Sequence, residues 1–102
     1  MITLNLTPYS KRIFGYGPNE TVLCLCDALI SSFEIALPDA EGIEGNIFTF
    51  KKVSSGLNTI TLKAMYGQNI DGSETFEITD ENESVTIVAH NNKYYITGYY
   101  AG

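Results

Sequence analysis

The chain is 102 residues long, enough for one domain, and its 44% hydrophobic and 18% charged residues exclude a disordered polyelectrolyte. Twelve acidic against six basic residues leave a net charge of −6, which repels phosphate backbones and sets nucleic-acid binding aside. No apolar run approaches the ~20 residues of a membrane-spanning helix, and Met1 is not followed by the basic start of a secretory leader.

Met1 to Thr7 alternates apolar with polar residues, a short strand signal that Pro8 interrupts. Gly15-Tyr16-Gly17-Pro18-Asn19 is a loop by its glycines and proline. Residues 1–19 read as an N-terminal arm, and residues 20–102 as a β-module. An arm without a core of its own is expected to be ordered by a partner and to be dispensable for folding. Its Lys11-Arg12 pair holds two of the six positive charges. The pair is either solvated or, in the sharper reading, an attachment contact to an acidic surface.

Strand-like runs follow at intervals of roughly ten residues. Thr21 to Cys26 is apolar on both faces. Phe33, Ile35 and Leu37 share one face of the next run, which Pro38 to Gly42 closes as a turn. Ile47 to Val53 sets Phe48 and Phe50 against Thr49 and Lys51. Leu57 to Ala64 turns Ile60 and Leu62 inward. Phe76 and Ile78 form a further row, and Val85, Ile87 and Ala89 another. Asn91-Asn92 is a tight turn before a last strand, Lys93 to Tyr100. No window carries a helical period, and Asp27 to Ser32 is a connection rather than a helix. The fold class is all-β: a compact antiparallel sandwich or barrel-like module of short strands.

Cys24 and Cys26 are the whole thiol inventory. On a strand they share a face ~6.5–7 Å apart, at or beyond the span of an unstrained disulfide. A metal would need two more soft or imidazole ligands, and His90 is one residue. They read as small buried hydrophobes. Apolar residues on both faces of β-rich segments exceed what so small a monomer can bury. A second subunit is expected to cover the excess, with Val22, Cys24, Cys26, Tyr94, Tyr95 and Tyr99 as the candidate interface.

Chemistry-bearing clusters are sparse. Asp80, Glu81 and Glu83 lie in one polar turn, and Asp39, Glu41 and Glu44 in another without EF-hand spacing. No partner for His90 is suggested locally, and Gly15-Tyr16-Gly17 lacks the helix of a phosphate loop. The seven tyrosines pack in core or interface, or stack on sugar rings. No catalytic, cofactor-binding or metal-binding residue emerges, and the chain is read as no enzyme.

Six segments in order carry a resemblance. They are Val22-Leu23-Cys24-Leu25-Cys26-Asp27, Phe33-Glu34-Ile35-Ala36-Leu37-Pro38-Asp39-Ala40, Gly45 to Val53, Asn58-Thr59-Ile60-Thr61-Leu62, Gln68-Asn69-Ile70-Asp71-Gly72-Ser73, and Glu83 to Val88 followed by Lys93-Tyr94-Tyr95-Ile96. From Glu20 to Tyr99 the chain resembles a module recurrent in bacteriophage tail fibres, tailspikes, head fibres and small capsid-associated proteins. Tyr94 stands where the module usually has Trp. The resemblance implies a homotrimer and a structural role: a capsid decoration or head-fibre protein that grips the particle non-covalently. The major capsid protein or another virion protein would be the partner, on the surface of a virion assembled in the host cytoplasm. The alternative it implies is a receptor- or glycan-binding module of a tail or head fibre. Because the module fills nearly the whole sequence, a small standalone virion component is expected. No cofactor, nucleic acid or membrane insertion is expected.

Overall fold

The alternating runs become eight strands and no helix. They are β1 (Ile2–Leu6), β2 (Thr21–Cys26), β3 (Phe33–Ala36), β4 (Ile47–Lys52), β5 (Ile60–Lys63), β6 (Thr75–Ile78), β7 (Ser84–His90) and β8 (Lys93–Tyr100). This computed structural model describes residues 1–102. The strands form a five-stranded sheet, β1-β2-β4-β7-β8, and a three-stranded sheet, β3-β5-β6. The radius of gyration is 12.4 Å, that of a compact chain of this length.

Both sheets are mixed, which corrects the antiparallel expectation. Pairs β1–β2, β2–β4 and β3–β5 run parallel; β4–β7, β5–β6 and β7–β8 run antiparallel. The cause is the path between sheets. From β2 to β5 the chain alternates sheets at every strand, so successive strands of one sheet are separated by a strand of the other. Each return restores the original direction. Turn-rich segments such as Pro38 to Gly45 are therefore crossings, not hairpins. Only β7–β8 closes through a two-residue turn, where Asn91 and Asn92 adopt φ of 53° and 62°, the mirror-image geometry that hairpins favour.

Inward rows of both sheets meet in one core of 22 buried hydrophobic residues. Val22, Cys24 and Cys26 of β2 face Phe48 and Phe50 of β4 across the ladder, with Val85, Ile87 and Ala89 of β7 beside them. Ile35, Ile60, Leu62 and Ile78 come from the smaller sheet. Lys52 ends the inward row of β4 and is fully buried. Its Nζ donates to the carbonyls of Gly56 (2.8 Å) and Thr79 (2.7 Å), which meets the cost of burying a charged donor.

The boundary expected after residue 19 does not mark a separable arm. β1 pairs along its whole length with β2, and Leu6 and Ile13 belong to the core. The chain then crosses to the other sheet. Ala36 N–H donates to Lys11 O (2.9 Å) and Ile13 N–H to Ala36 O (3.2 Å), so residues 11–13 dress the edge of β3. The sequence hid this because β1 is edge-exposed on one side and reads as half-polar.

A bulge shapes β8. Thr86 pairs with Gly98 and Ile87 with Ile96, which leaves Thr97 as the extra residue. The extra residue flips parity. Tyr99 turns to the inner side and Tyr100 to the outer, where a regular strand would have done the opposite.

Candidate interaction face

The outer face of the five-stranded sheet follows from register. The inward rows fix the complementary rows as outward: Thr3 and Asn5 on β1, Thr21, Leu23 and Leu25 on β2, Ile47, Thr49 and Lys51 on β4. β7 adds Ser84, Thr86, Val88 and His90, and β8 adds Lys93, Tyr95, Gly98 and Tyr100. None of these positions is Asp or Glu, although the chain has twelve. Leu23, Leu25, Ile47, Val88 and Tyr95 are half-buried there. Thr49 and Thr86 link β4 to β7 through their hydroxyls (2.9 Å).

The only charges are at the margin. Lys51 Nζ lies 5.5 Å from the Tyr100 ring centroid, and Lys93 Nζ lies 5.6 Å from that of Tyr95. Both ammonium groups sit over aromatic faces, a favourable cation–π placement. At one corner the His90 ring lies 5.9 Å from Tyr95 and its Nδ1 contacts Glu44 Oε2. That hydrogen bond, with the Asn91 N–H donated to Glu44 Oε1, holds the Glu44 carboxyl below its usual range. The face is apolar in the middle, with two lysines and the His90–Glu44 pair at its margin.

A second apolar region caps the ends of the parallel strands. Loops after β1, β2 and β4 expose Tyr9, Leu29, Ile30, Val53 and Leu57, the last at 97%. Hydrogen bonds stitch these loops together. Ala28 N–H donates to Ser54 Oγ (2.9 Å), Asn58 Nδ2 to Ala28 O (2.7 Å) and Thr59 N–H to Ser32 Oγ (2.8 Å). The exposed side chains are thus presented from fixed backbone.

The residues singled out from sequence divide sharply. Val22, Cys24, Cys26 and Tyr94 are fully buried inside the single chain, so none of them can form a subunit interface. Alternation was read correctly, but the row taken as surplus is the core row. Burial pushes the Cys24 and Cys26 thiols up to about 12 each, with the neighbouring thiol adding to the effect at Cys24. Both cysteines are free. Burial also raises Tyr94, whose hydroxyl donates to Pro38 O (2.6 Å). Tyr95 does lie on the outer face. Tyr99 is exposed, but on the inner side. Its ring meets Phe76 edge-on at 6.1 Å, and its hydroxyl donates to Glu83 Oε2 (2.6 Å).

Glu83 is itself buried and accepts from Thr79 N–H, Thr79 Oγ1 and Asp80 N–H. Desolvation pulls its pKa upward, but these hydrogen bonds and that of Tyr99 outweigh it and leave it below the usual range. Lys11 and Arg12 are exposed and make no ion pair. Sequence reading missed Leu23, Leu25, Ile47 and Val88 as a surface. The signal was the two-faced apolarity of β2, which does not say which face is outward.

No protein-family model matches the chain, and no curated protein matches it. No helix is long and apolar enough to cross a membrane.

Proposed function

We propose that this chain is a structural component of a bacteriophage virion, a capsid decoration or head-fibre protein that works by non-covalent assembly as a homotrimer and catalyses nothing. One observation carries the reading: a strongly acidic chain keeps one broad five-stranded face free of carboxylates. Covering a carboxylate costs several kcal/mol unless it is paired, so a face destined for contact does without them. The two sheets would form a sandwich-like body. Three copies would bury the Leu23–Ile47–Val88–Tyr95 face around an axis. The loop end with Tyr9, Leu29, Ile30 and Leu57 would then meet the shell, while Lys11 and Arg12 lie by Ala36 at the other end of β3. The order of segments from Val22 to Ile96, which resembles the virion module, supports the same role.

Light scattering on the purified protein should report about three times 11.2 kDa. Purified particles lacking the protein should take it up on co-sedimentation. A monomer at micromolar concentration that ignores particles would sink the reading.

A further inference from the structure

The edge of a β-sheet is a row of unpaired N–H and C=O groups that templates another strand unless the protein blunts it. The two sheets end on β1, β8, β3 and β6, and all but β1 are blunted. On β3, Ala36 is tied to Lys11 and Ile13, and Glu34 carries a charge. On β6, Ser73 Oγ donates to Thr75 O (2.8 Å) and accepts from Thr75 N–H (3.4 Å), and Glu77 carries a charge. On β8, Tyr94 N–H donates to Asn69 O (3.0 Å), Asp71 N–H to Tyr94 O (3.0 Å) and Ile96 N–H to Asp71 Oδ2 (3.3 Å). The bulge at Thr97 then breaks the rest of that edge.

β1 has none of these devices. Asp27 N–H donates to Leu6 O (2.9 Å), so Leu6 turns its backbone groups toward β2. Backbone groups alternate sides along a strand. Ile2 and Leu4 therefore follow Leu6, and Thr3 and Asn5 turn their N–H and C=O to the open edge. Nothing in the chain meets them there, and both residues are exposed. The strand holds no proline, bulge or charge, and no charged side chain occurs before Lys11. Ile2 and Leu4 pack against the core yet stay half-buried, because no strand lies beyond them.

We infer that β1 pairs antiparallel with β1 of a second copy, joining two five-stranded sheets edge to edge. The strand meets its own requirements as a partner. It is uncharged, and its apolar residues fall on the inner side, where Ile2 and Leu4 lack cover. A two-fold contact demands the same surface of both copies. Leu4 sits at its centre, opposite the partner's Leu4, because its own backbone groups are engaged with β2. Thr3 then exchanges N–H···O bonds with the partner's Asn5, Asn5 does so with the partner's Thr3, and Ile2 faces the partner's Leu6. The chain is acidic overall, and this contact falls on a stretch without a carboxylate. One short strand pair buries little surface, so the contact is weak and closes well above micromolar concentration. It goes beyond the face-to-face assembly and does not depend on it.

The test runs the parent chain beside Leu23→Glu with Val88→Glu, which removes the face contact and leaves β1 intact. Sedimentation equilibrium of that variant should pass from monomer to dimer between micromolar and millimolar protein. Over the same range, amide exchange read by NMR should slow by roughly tenfold or more at Thr3 and Asn5 in both proteins, and stay unchanged at Glu34 and Glu77 on the blunted edges. Asn5→Pro removes an edge N–H that the β1–β2 ladder does not use, so the dispersed spectrum should persist while the dimer is lost. Thr3→Lys with Asn5→Lys keeps every backbone group, sets lysines opposite one another, and should abolish the dimer as well. A face variant that stays monomeric at millimolar concentration overturns the inference. So does a dimer whose Thr3 and Asn5 amides exchange freely, or one that survives both edge variants. Protection that appears only on adding a short peptide of alternating Thr and Val would assign the edge to a foreign strand and overturn the pairing of copies.

Discussion

On the five-stranded sheet, the outward rows of β2 and β4 read Thr21, Leu23, Leu25 and Ile47, Thr49, Lys51. On the three-stranded sheet, the outward rows of β3, β5 and β6 read Glu34, Ala36, Thr61, Lys63, Thr75 and Glu77. The smaller face behaves as a wet surface. Glu34 and Glu77 flank Thr61 in one row, and Lys63 Nζ reaches out to Glu74 at 3.6 Å. Exposed pairs of that kind contribute little to stability but keep a sheet face hydrated. The larger face replaces such residues with leucine, isoleucine, valine and tyrosine. Two faces of one small protein, with the same strand periodicity, thus carry opposite instructions about solvent. The instruction is in the carboxylates, not in the alternation.

The strongest way to break this comparison is to remove the edge of the larger sheet. Deleting residues 1–6 strips β1 from β2 and removes Leu6 from the core, with Ile2 and Leu4 that pack against it. Buried Leu6 contributes ~1.5–3 kcal/mol and the half-buried Ile2 and Leu4 less each, against a total stability of about 5–15 kcal/mol. The truncated chain should lose its cooperative unfolding transition by circular dichroism. An unchanged denaturation midpoint would restore the N-terminal segment as a dispensable arm.

Next in size is charge placed on the apolar face. Leu23→Glu with Val88→Glu should weaken self-association by more than ~100-fold, because desolvating two carboxylates costs several kcal/mol. Both sites are half-buried, so the fold should lose only about 1 kcal/mol. Sedimentation velocity reads the first effect and urea unfolding the second. Assembly that survives both glutamates removes this face from the interface.

Much of this was legible in the residues. Phe48 and Phe50, Ile60 and Leu62, and Val85, Ile87 and Ala89 all lie in the core row that alternation assigned them, because a period of two is a local property of the strand. The ends of β2 and β8 were legible as well, because turn residues flank both. What could not be read is non-local. Whether Val22 or Leu23 faces inward depends on which sheet lies across the core. Parallel pairing depends on crossings between sheets. The side on which Tyr99 lies depends on the one-residue bulge at Thr97, and nothing in Tyr-Ile-Thr-Gly-Tyr announces it.

A smaller effect separates the inner row of β2 from its outer row. Replacing Cys24 and Cys26 together by Ala should cost ~1–3 kcal/mol through lost packing, whereas Leu23→Ala should cost less than the pair. With burial holding both thiols at about 12, thiolate is scarce at neutral pH. A thiol reagent should label the native protein slowly and the urea-unfolded protein at once. Rapid labelling in the native state would place the cysteine row at the surface and invert the comparison.

The smallest expected effect is the control on the acidic face. Glu34→Lys with Glu77→Lys reverses two exposed charges on either side of Thr61. Surface substitutions of this type stay within about 0.5 kcal/mol, so the urea midpoint should barely move, while electrophoretic mobility shifts clearly. Association should be unchanged if like faces meet around a closed axis, since the smaller sheet then points to solvent. The opposite result has a distinct physical meaning. If the double lysine variant dissociates, the glutamates must have been meeting cations, and Lys51 and Lys93 rim the larger face. Contact between unlike faces is heterologous and closes only if its rotation permits a ring. It would also weaken with salt, because exposed pairs are screened over ~8 Å at physiological ionic strength. Running the variant and the parent at low and high salt therefore separates the two geometries. Parent assembly indifferent to both the lysines and the salt leaves the apolar face as the contact.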